Sequence, residues 1–227
     1  MCLTGPGNRW GPFSFSPHSQ QGSPLAPETG SIAEVGIKTE WLDRKLGINA
    51  AIFRIERDKV PISDPVNLPT EFFQVSAGLQ RSEGVELEIN GEPLPGWNLS
   101  FGGTLIDSEF VERDDPNFGN TSRGVADWQV SFFTSYQLQS GFAKGLGFSA
   151  GMFATDDRPV TANERGTISG YERVDLGLFY EKTEDLKIAL QVRNVFDEKY
   201  IESLERPNAL NHYGSPRAVM VTLRKKF

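Results

Sequence analysis

Cysteine is nearly absent from this chain of 227 residues: Cys2 stands alone and can form no internal disulfide. Histidine is almost as scarce. His18 and His212 are the only two, too few and too distant in sequence for a ligand cluster. No stretch approaches the roughly 18 consecutive apolar residues that a membrane-crossing helix requires. Basic clusters are missing as well, and 30 acidic against 23 basic residues leave a net charge of −7, which argues against nucleic acid as a partner. Residues 1–12, MCLTGPGNRWGP, hold no charged segment followed by an apolar run, so no export signal is read there. No cofactor and no metal ligand set is expected. What these absences leave open is a protein of many short strands.

Composition agrees, with Gly 23, Phe 16 and Pro 14 at 38% hydrophobic residues. The clearest pattern is Tyr213 to Phe227, YGSPRAVMVTLRKKF. Val219, Val221, Leu223 and Phe227 fall on one face and Met220, Thr222, Arg224 and Lys226 on the other. A period of two marks a strand with one apolar and one polar face. A transmembrane β-barrel uses that pattern with apolar side chains toward lipid and polar ones toward the lumen, and its alternation keeps mean hydropathy low.

The same alternation recurs upstream. Residues 1–31 read as irregular, and a first strand runs from Ile32 to Trp41. A second runs from Lys45 to about Pro61, with an apparent face switch at Phe53 and Ile55 that suggests a bulge. Residues 72–90 keep one phase throughout, which predicts a single strand with no reversal at Arg81–Gly84. Further strands start near Trp97, Trp128, Leu146, Val174, Leu186 and Val219, making nine. Short turns alternate with longer loops at 107–126, 155–167 and 198–212. Trp41, Trp97, Tyr136 and Tyr180 all fall at the short-turn end on the apolar parity, an aromatic girdle of the kind found at a membrane interface. Nine strands do not make a complete bacterial barrel of even count, so a portion of a larger barrel is expected.

Several segments together resemble one family, the TonB-dependent siderophore receptors. They are Gly22-Ser-Pro-Leu-Ala-Pro-Glu-Thr-Gly30 leading into Glu34-Val-Gly-Ile-Lys38, then Ser82-Glu-Gly-Val-Glu-Leu-Glu88 and Gly170-Tyr-Glu-Arg-Val-Asp175. Asn194-Val-Phe-Asp-Glu-Lys-Tyr200 and Tyr213-Gly-Ser-Pro-Arg217 complete the set. The resemblance runs from about residue 13 to Phe227. It implies an all-β fold, a partial antiparallel transmembrane barrel holding about the last nine of roughly 22 strands, with residues 32–227 as barrel and no match to the family's plug. It further implies a receptor of the Gram-negative outer membrane for ferric siderophores, hydroxamate type first. Its implied partners are the chelate, membrane lipid, the barrel-assembly machinery reading Phe227, and the TonB complex through the plug region alone.

Within that reading Phe118, Tyr171, His212 and Tyr213 lie in or beside the long loops and are the ligand-binding candidates, since aromatic faces can hold the apolar frame of a chelate. Glu86, Glu88, Asp175 and Arg193 fall on the lumen parity, where hydrogen bonding to the wall is the ordinary role. Asp114, Asp115 and Asn117 lack EF-hand spacing and read as a solvated acidic loop. Two rival readings remain, a passive barrel without ligand specificity and a soluble hydrolase. The second rests on Gly147-Phe-Ser-Ala-Gly151, which fits G-x-S-x-G with Asp175 and His212 following. Its nucleophile Ser149 would need a strand–turn–helix, and the residues after Gly151 show no helical period. No catalytic residue is therefore assigned.

Parity is testable position by position. Leu99, Phe132, Leu178 and Leu190 are expected toward lipid, and Ser100, Ser131, Phe179 and Gln191 inward. Phe132→Arg or Leu178→Arg should cost about 2–4 kcal/mol in unfolding from lipid, and Ser131→Arg much less. Equal losses at 131 and 132 would contradict the assignment.

Overall fold

The computed structural model describes residues 25–63, 74–162, 166–183, 185–206 and 209–226. Among them every regular element is a strand. Nine form one antiparallel sheet in chain order: β1 (Thr29–Trp41), β2 (Leu46–Ser63), β3 (Gln74–Leu94), β4 (Trp97–Phe110), β5 (Trp128–Gln137), β6 (Leu146–Thr155), β9 (Tyr171–Thr183), β10 (Leu186–Arg193) and β13 (Ala218–Lys225). Two hairpins sit in the connections, β7 (Arg158–Pro159) with β8 (Thr167–Ile168) and β11 (Ile201–Arg206) with β12 (Ala209–Tyr213). The sheet is open, with β1 and β13 at its edges.

The single strand expected over 72–90 is formed without reversal, although residues 72 and 73 lie outside the described residues: β3, Gln74–Leu94, pairs with β2 on one side and β4 on the other through Arg81–Gly84. The bulge expected at Phe53 and Ile55 is not there. Register runs unbroken from Leu46 to Arg57 and shifts between Arg57 and Val60, where Lys59 takes φ 60°, and again between Val60 and Pro61. The reason lies across the strand. Phe53 pairs with Gly84, and a Cβ on Gly84 would come within 2.6 Å of the Phe53 ring. The absent side chain makes room for an aromatic on the polar face, so the strand need not switch. Phe179 lies against Gly147 in the same way.

β1 starts at Thr29, three residues before the expected change of character, because Thr29, Gly30 and Ser31 pair with Asp58, Arg57 and Glu56. The loops expected over 155–167 and 198–212 instead contain the two hairpins. Strands of two to six residues are too short to show a period against loop composition.

Register carries one face across the whole sheet. Phe101 lies beside Phe132, Phe132 beside Met152, Phe148 beside Leu178, Leu178 beside Leu190, and Leu190 beside Val221. Leu99 shares that face. Ser131, Phe179 and Gln191 lie on the other, with Ser100 opposite Phe133. The girdle falls where its spacing placed it: Trp41 beside Leu46, Trp97 beside Tyr136 and Tyr180 beside Leu146, all at the short-turn end. The indole N–H groups do not go unpaired there. Trp41 Nε1 donates to Thr39 Oγ1 (3.0 Å) and Trp97 Nε1 to Thr134 Oγ1 (2.9 Å).

The apolar face ends at Val35, Ile52, Val85 and Leu105. The next row along it is Arg54, Glu83 and Asp107, with Arg54 Nε and Glu83 Oε1 2.6 Å apart and Arg81 bonded to Glu56 beyond. From Trp97 to Leu105 the strand rises about 26 Å at roughly 3.3 Å per residue. A tilt of about 40° reduces that to about 20 Å, close to the apolar band of an outer-membrane barrel.

Burial is inverted relative to a two-layer domain. Ile52, Val85, Leu105, Leu176, Val219, Val221 and Leu223 are exposed on the sheet, while Phe110, Ala154, Ile168, Tyr171 and Tyr200 are buried at the long-loop end. A single layer with one apolar face has no internal partner for it and draws its cover from outside. The 227-residue chain expressed alone should therefore partition into detergent. A monomer that stays in buffer and unfolds cooperatively there would contradict this reading.

Candidate ligand-facing loops

Among the described residues, three long connections leave the sheet at the end opposite the girdle: 111–127, 156–170 and 194–217. They are tied into one assembly. Gly124 N donates to Pro159 O (2.9 Å) and Asn120 Nδ2 to Ala162 O (3.0 Å), joining the first loop to the second. Arg158 joins the second to the third, giving Nη1 to Glu202 O (3.0 Å) and Nη2 to Ile201 O (2.8 Å). A rigid guanidinium fork suits two adjacent carbonyls.

Asn194 is the centre of the third loop and is 1% exposed. It follows the last residue of β10 and adopts φ 50°, a left-handed conformation that asparagine tolerates better than most residues. Its Nδ2 donates to Glu198 O (2.8 Å) and Ser215 O (3.0 Å), and its Oδ1 accepts from Glu198 N (2.8 Å). Its own N–H goes to Asp175 Oδ1 (2.8 Å). One side chain thus joins the start of the loop to its return toward β13. Asp197, at φ 55°, adds a bond from Arg217 N (2.9 Å).

Against this loop lies an aromatic stack. Tyr171 and Tyr200 have ring centroids 3.9 Å apart at 20°, and Phe153 meets Tyr171 at 5.6 Å. Arg173 Nη1 donates to the Tyr200 hydroxyl (3.3 Å), and its Nε lies 3.4 Å from Asp175 Oδ1 without hydrogen-bond alignment. The stack joins β6 and β9 to the third loop.

The four aromatic or histidine candidates from the sequence separate here. Tyr171 is buried within the stack and presents no open face. Phe118 is half exposed, His212 lies exposed on β12, and Tyr213 is 74% exposed at the end of β12. Phe196, also exposed, was missed. So were Arg158, Asn194 and Tyr200 as organisers of the loops, although the Asn and Asp of Asn194-Val-Phe-Asp197 are residue types that favour left-handed turns. Phe227 lies outside the described residues.

Other polar candidates fall into structural roles. Glu88 accepts from Asn49 Nδ2 (3.2 Å) on the inner face. Asp115 is not solvated: it is buried, and its Oδ1 accepts from Asn117 N (2.8 Å) and Asn117 Nδ2 (3.0 Å), closing a tight turn, while Asp114 stays exposed. Among the described residues no three His, Cys, Asp or Glu side chains come together as a metal site. Gly147–Gly151 lies wholly within β6, which continues to Thr155, so Ser149 occupies no nucleophile elbow.

A family model described as "TonB dependent receptor-like, beta-barrel" matches residues 6–195. The ferripyoverdine receptor of Pseudomonas aeruginosa is 31% identical over 89% of this chain and 26% of its own length. The ferric-pyoverdine 358 receptor of Pseudomonas putida is 29% identical over 91% of this chain and 25% of its own. Among solved structures, the siderophore receptor PiuA from Acinetobacter baumannii superposes with a TM-score of 0.77 at 24% identity, over 89% of this chain and 29% of that one. The chain spans about a quarter of the length of these curated relatives.

Asn194→Ala should loosen the third loop. It removes three side-chain hydrogen bonds and leaves buried partners unsatisfied, at about 1–3 kcal/mol apiece before relaxation. Hydrogen exchange at the Glu198 and Gly214 amides should accelerate while amides in the centre of β9 keep their protection. Unchanged exchange at both loop amides would contradict the hub role.

Proposed function

Because the chain belongs to the TonB-dependent receptor family, as a stretch of its outer-membrane β-barrel, we propose that it forms the ligand-facing wall of a receptor for ferric siderophores. The observation that supports this is the loop assembly. Three loops, the first tied to the second and the second to the third, carry Phe118, His212 and Tyr213 exposed at the end opposite the girdle. Exposed aromatic side chains on a rigid support are suited to the apolar frame of a chelate. The chelate arrives with iron already coordinated, so the wall needs no metal ligands of its own. Tyr171 serves here by holding the third loop in place. Energy coupling through the TonB complex and insertion by the barrel-assembly machinery belong to the same proposal, and family membership supports both.

Charge favours a hydroxamate chelate. Residues 107–127 carry Asp107, Glu109, Glu112, Asp114, Asp115 and Asp127 against Arg113 and Arg123. A ferric trihydroxamate is neutral, whereas a ferric tris-catecholate is trianionic and would be repelled by an acidic loop. In the receptor whose wall this chain forms, Tyr213→Ala and Phe118→Ala should each weaken ferric-trihydroxamate binding by about 5–30-fold, or roughly 1–2 kcal/mol. A ferric tris-catecholate should bind more weakly, and added salt should narrow the difference. Absence of saturable binding would instead favour a passive barrel, and unchanged Kd in the triple Phe118, His212 and Tyr213 alanine variant would remove these residues from the site.

A further inference from the structure

Three of the short turns carry exposed apolar side chains that the alternation of the strands does not account for. They are Leu42 between β1 and β2, Leu94 at the end of β3, and Phe142 between β5 and β6. Phe142 is fully exposed. Its turn is nevertheless well bonded. Gly145 N donates to Leu138 O (2.9 Å), Leu146 N to Ala143 O (3.0 Å) and Lys144 N to Gly141 O (3.3 Å), and Glu181 N of β9 donates to Gly145 O (2.9 Å). Gly141 and Gly145 supply the positive φ angles, 79° and 91°, that the turn needs. The ring is therefore held outward by a defined turn.

The position of these tips points to their partner. Leu94 pairs with Trp97 and so shares the face of Trp97 and Tyr136. Leu94 thus continues the apolar face past the girdle, and Leu42 and Phe142 stand exposed at the same end of the sheet. Neighbouring strands lie about 4.8 Å apart, so tips two strands apart fall at roughly 10 Å intervals along the sheet edge. That is a row and not a compact patch, which suits a plane better than a globular partner. Lys144 stands in the Phe142 turn and Arg44 and Lys45 in the Leu42 turn, placing cations where lipid phosphates would lie.

We propose that Phe142, flanked by Leu94 and Leu42, is an anchor that enters the phospholipid headgroup zone on the short-turn side, with Lys144 meeting lipid phosphate. Aromatic rings on an amphipathic support prefer that zone. The proposal rests on the membrane reading of the sheet and is independent of which ligand the loops bind.

The test is a depth measurement on the whole chain folded in dodecylphosphocholine micelles containing phosphatidylglycerol. In a Cys2→Ser background, nitroxide labels are placed at Phe142→Cys, at Leu178→Cys on the apolar face, and at Asp114→Cys on an exposed loop. The label at 142 should lose accessibility to a water-soluble nickel chelate and retain it to oxygen, as the label at 178 does. Nickel accessibility at 142 equal to that at 114, with 178 still protected, would overturn the anchor while leaving the membrane reading intact. Nickel accessibility at 178 as well would overturn both. Broadening of the Phe142 ring protons by a spin-labelled lipid in the unsubstituted chain decides the same question without a substitution.

Discussion

The antiparallel backbone ladder carries this structure. Nine strands form a single layer, and no helix or second sheet among the described residues packs on either face. In hydrocarbon an unpaired N–H or C=O costs several kcal/mol, and water is not there to compensate. Side-chain packing contributes little at the centre of the sheet, since its apolar residues remain exposed. Local choices along the chain consequently serve to keep the ladder continuous. Pro95 and Gly96, the latter at φ 80°, close the β3–β4 turn in two residues, and Leu94 still pairs with Trp97. Gly84 and Gly147 accept aromatic rings from neighbouring strands where a side chain of their own would force the backbone apart.

At the long-loop end the ladder gives way to a different kind of support. The fully paired strands stop, and among the described residues the buried large apolar side chains Phe110, Ile168, Tyr171 and Tyr200 are found there. Asn194, Arg158 and the Tyr171–Tyr200 stack replace repeated backbone bonds with a few side-chain bonds of high specificity. Such a junction can hold three loops in a fixed relation while leaving their outer residues free to vary. Binding surfaces are commonly built on this division between a rigid base and variable tips.

The two ends of the wall are chemically distinct in consequence. The short-turn end closes with aromatic and apolar side chains, and the indole N–H groups of Trp41 and Trp97 are internally paired. Toward the opposite end the apolar face terminates in the Arg54–Glu83 and Arg81–Glu56 pairs, and the loops beyond are acidic. Exposed pairs of this kind contribute little to stability. Their significance is positional, because charge cannot sit on the lipid side and so marks where that side ends.

Much of this was legible in the sequence, for a physical reason. A strand exposed to two different solvents must alternate, and alternation is local. Val219 to Phe227, the unbroken phase through residues 72–90, and the common parity of Trp41, Trp97, Tyr136 and Tyr180 determined the nine strands of the main sheet, their faces and the girdle without any knowledge of pairing, while the two short hairpins were not legible. What depends on cross-strand neighbours was not legible. Whether Phe53 marked a bulge depended on Gly84, thirty-one positions away. Whether Tyr171 offered a face to a ligand depended on Tyr200 stacking against it, and whether Asp115 was solvated depended on the turn it closes. The loop assembly was the least legible part, since Asn194, Arg158 and their carbonyl partners meet only after β6, β9, β10 and β13 are in register. Periodicity follows from the solvent and is written along the chain, whereas contacts between loops follow from the fold and are settled only in three dimensions.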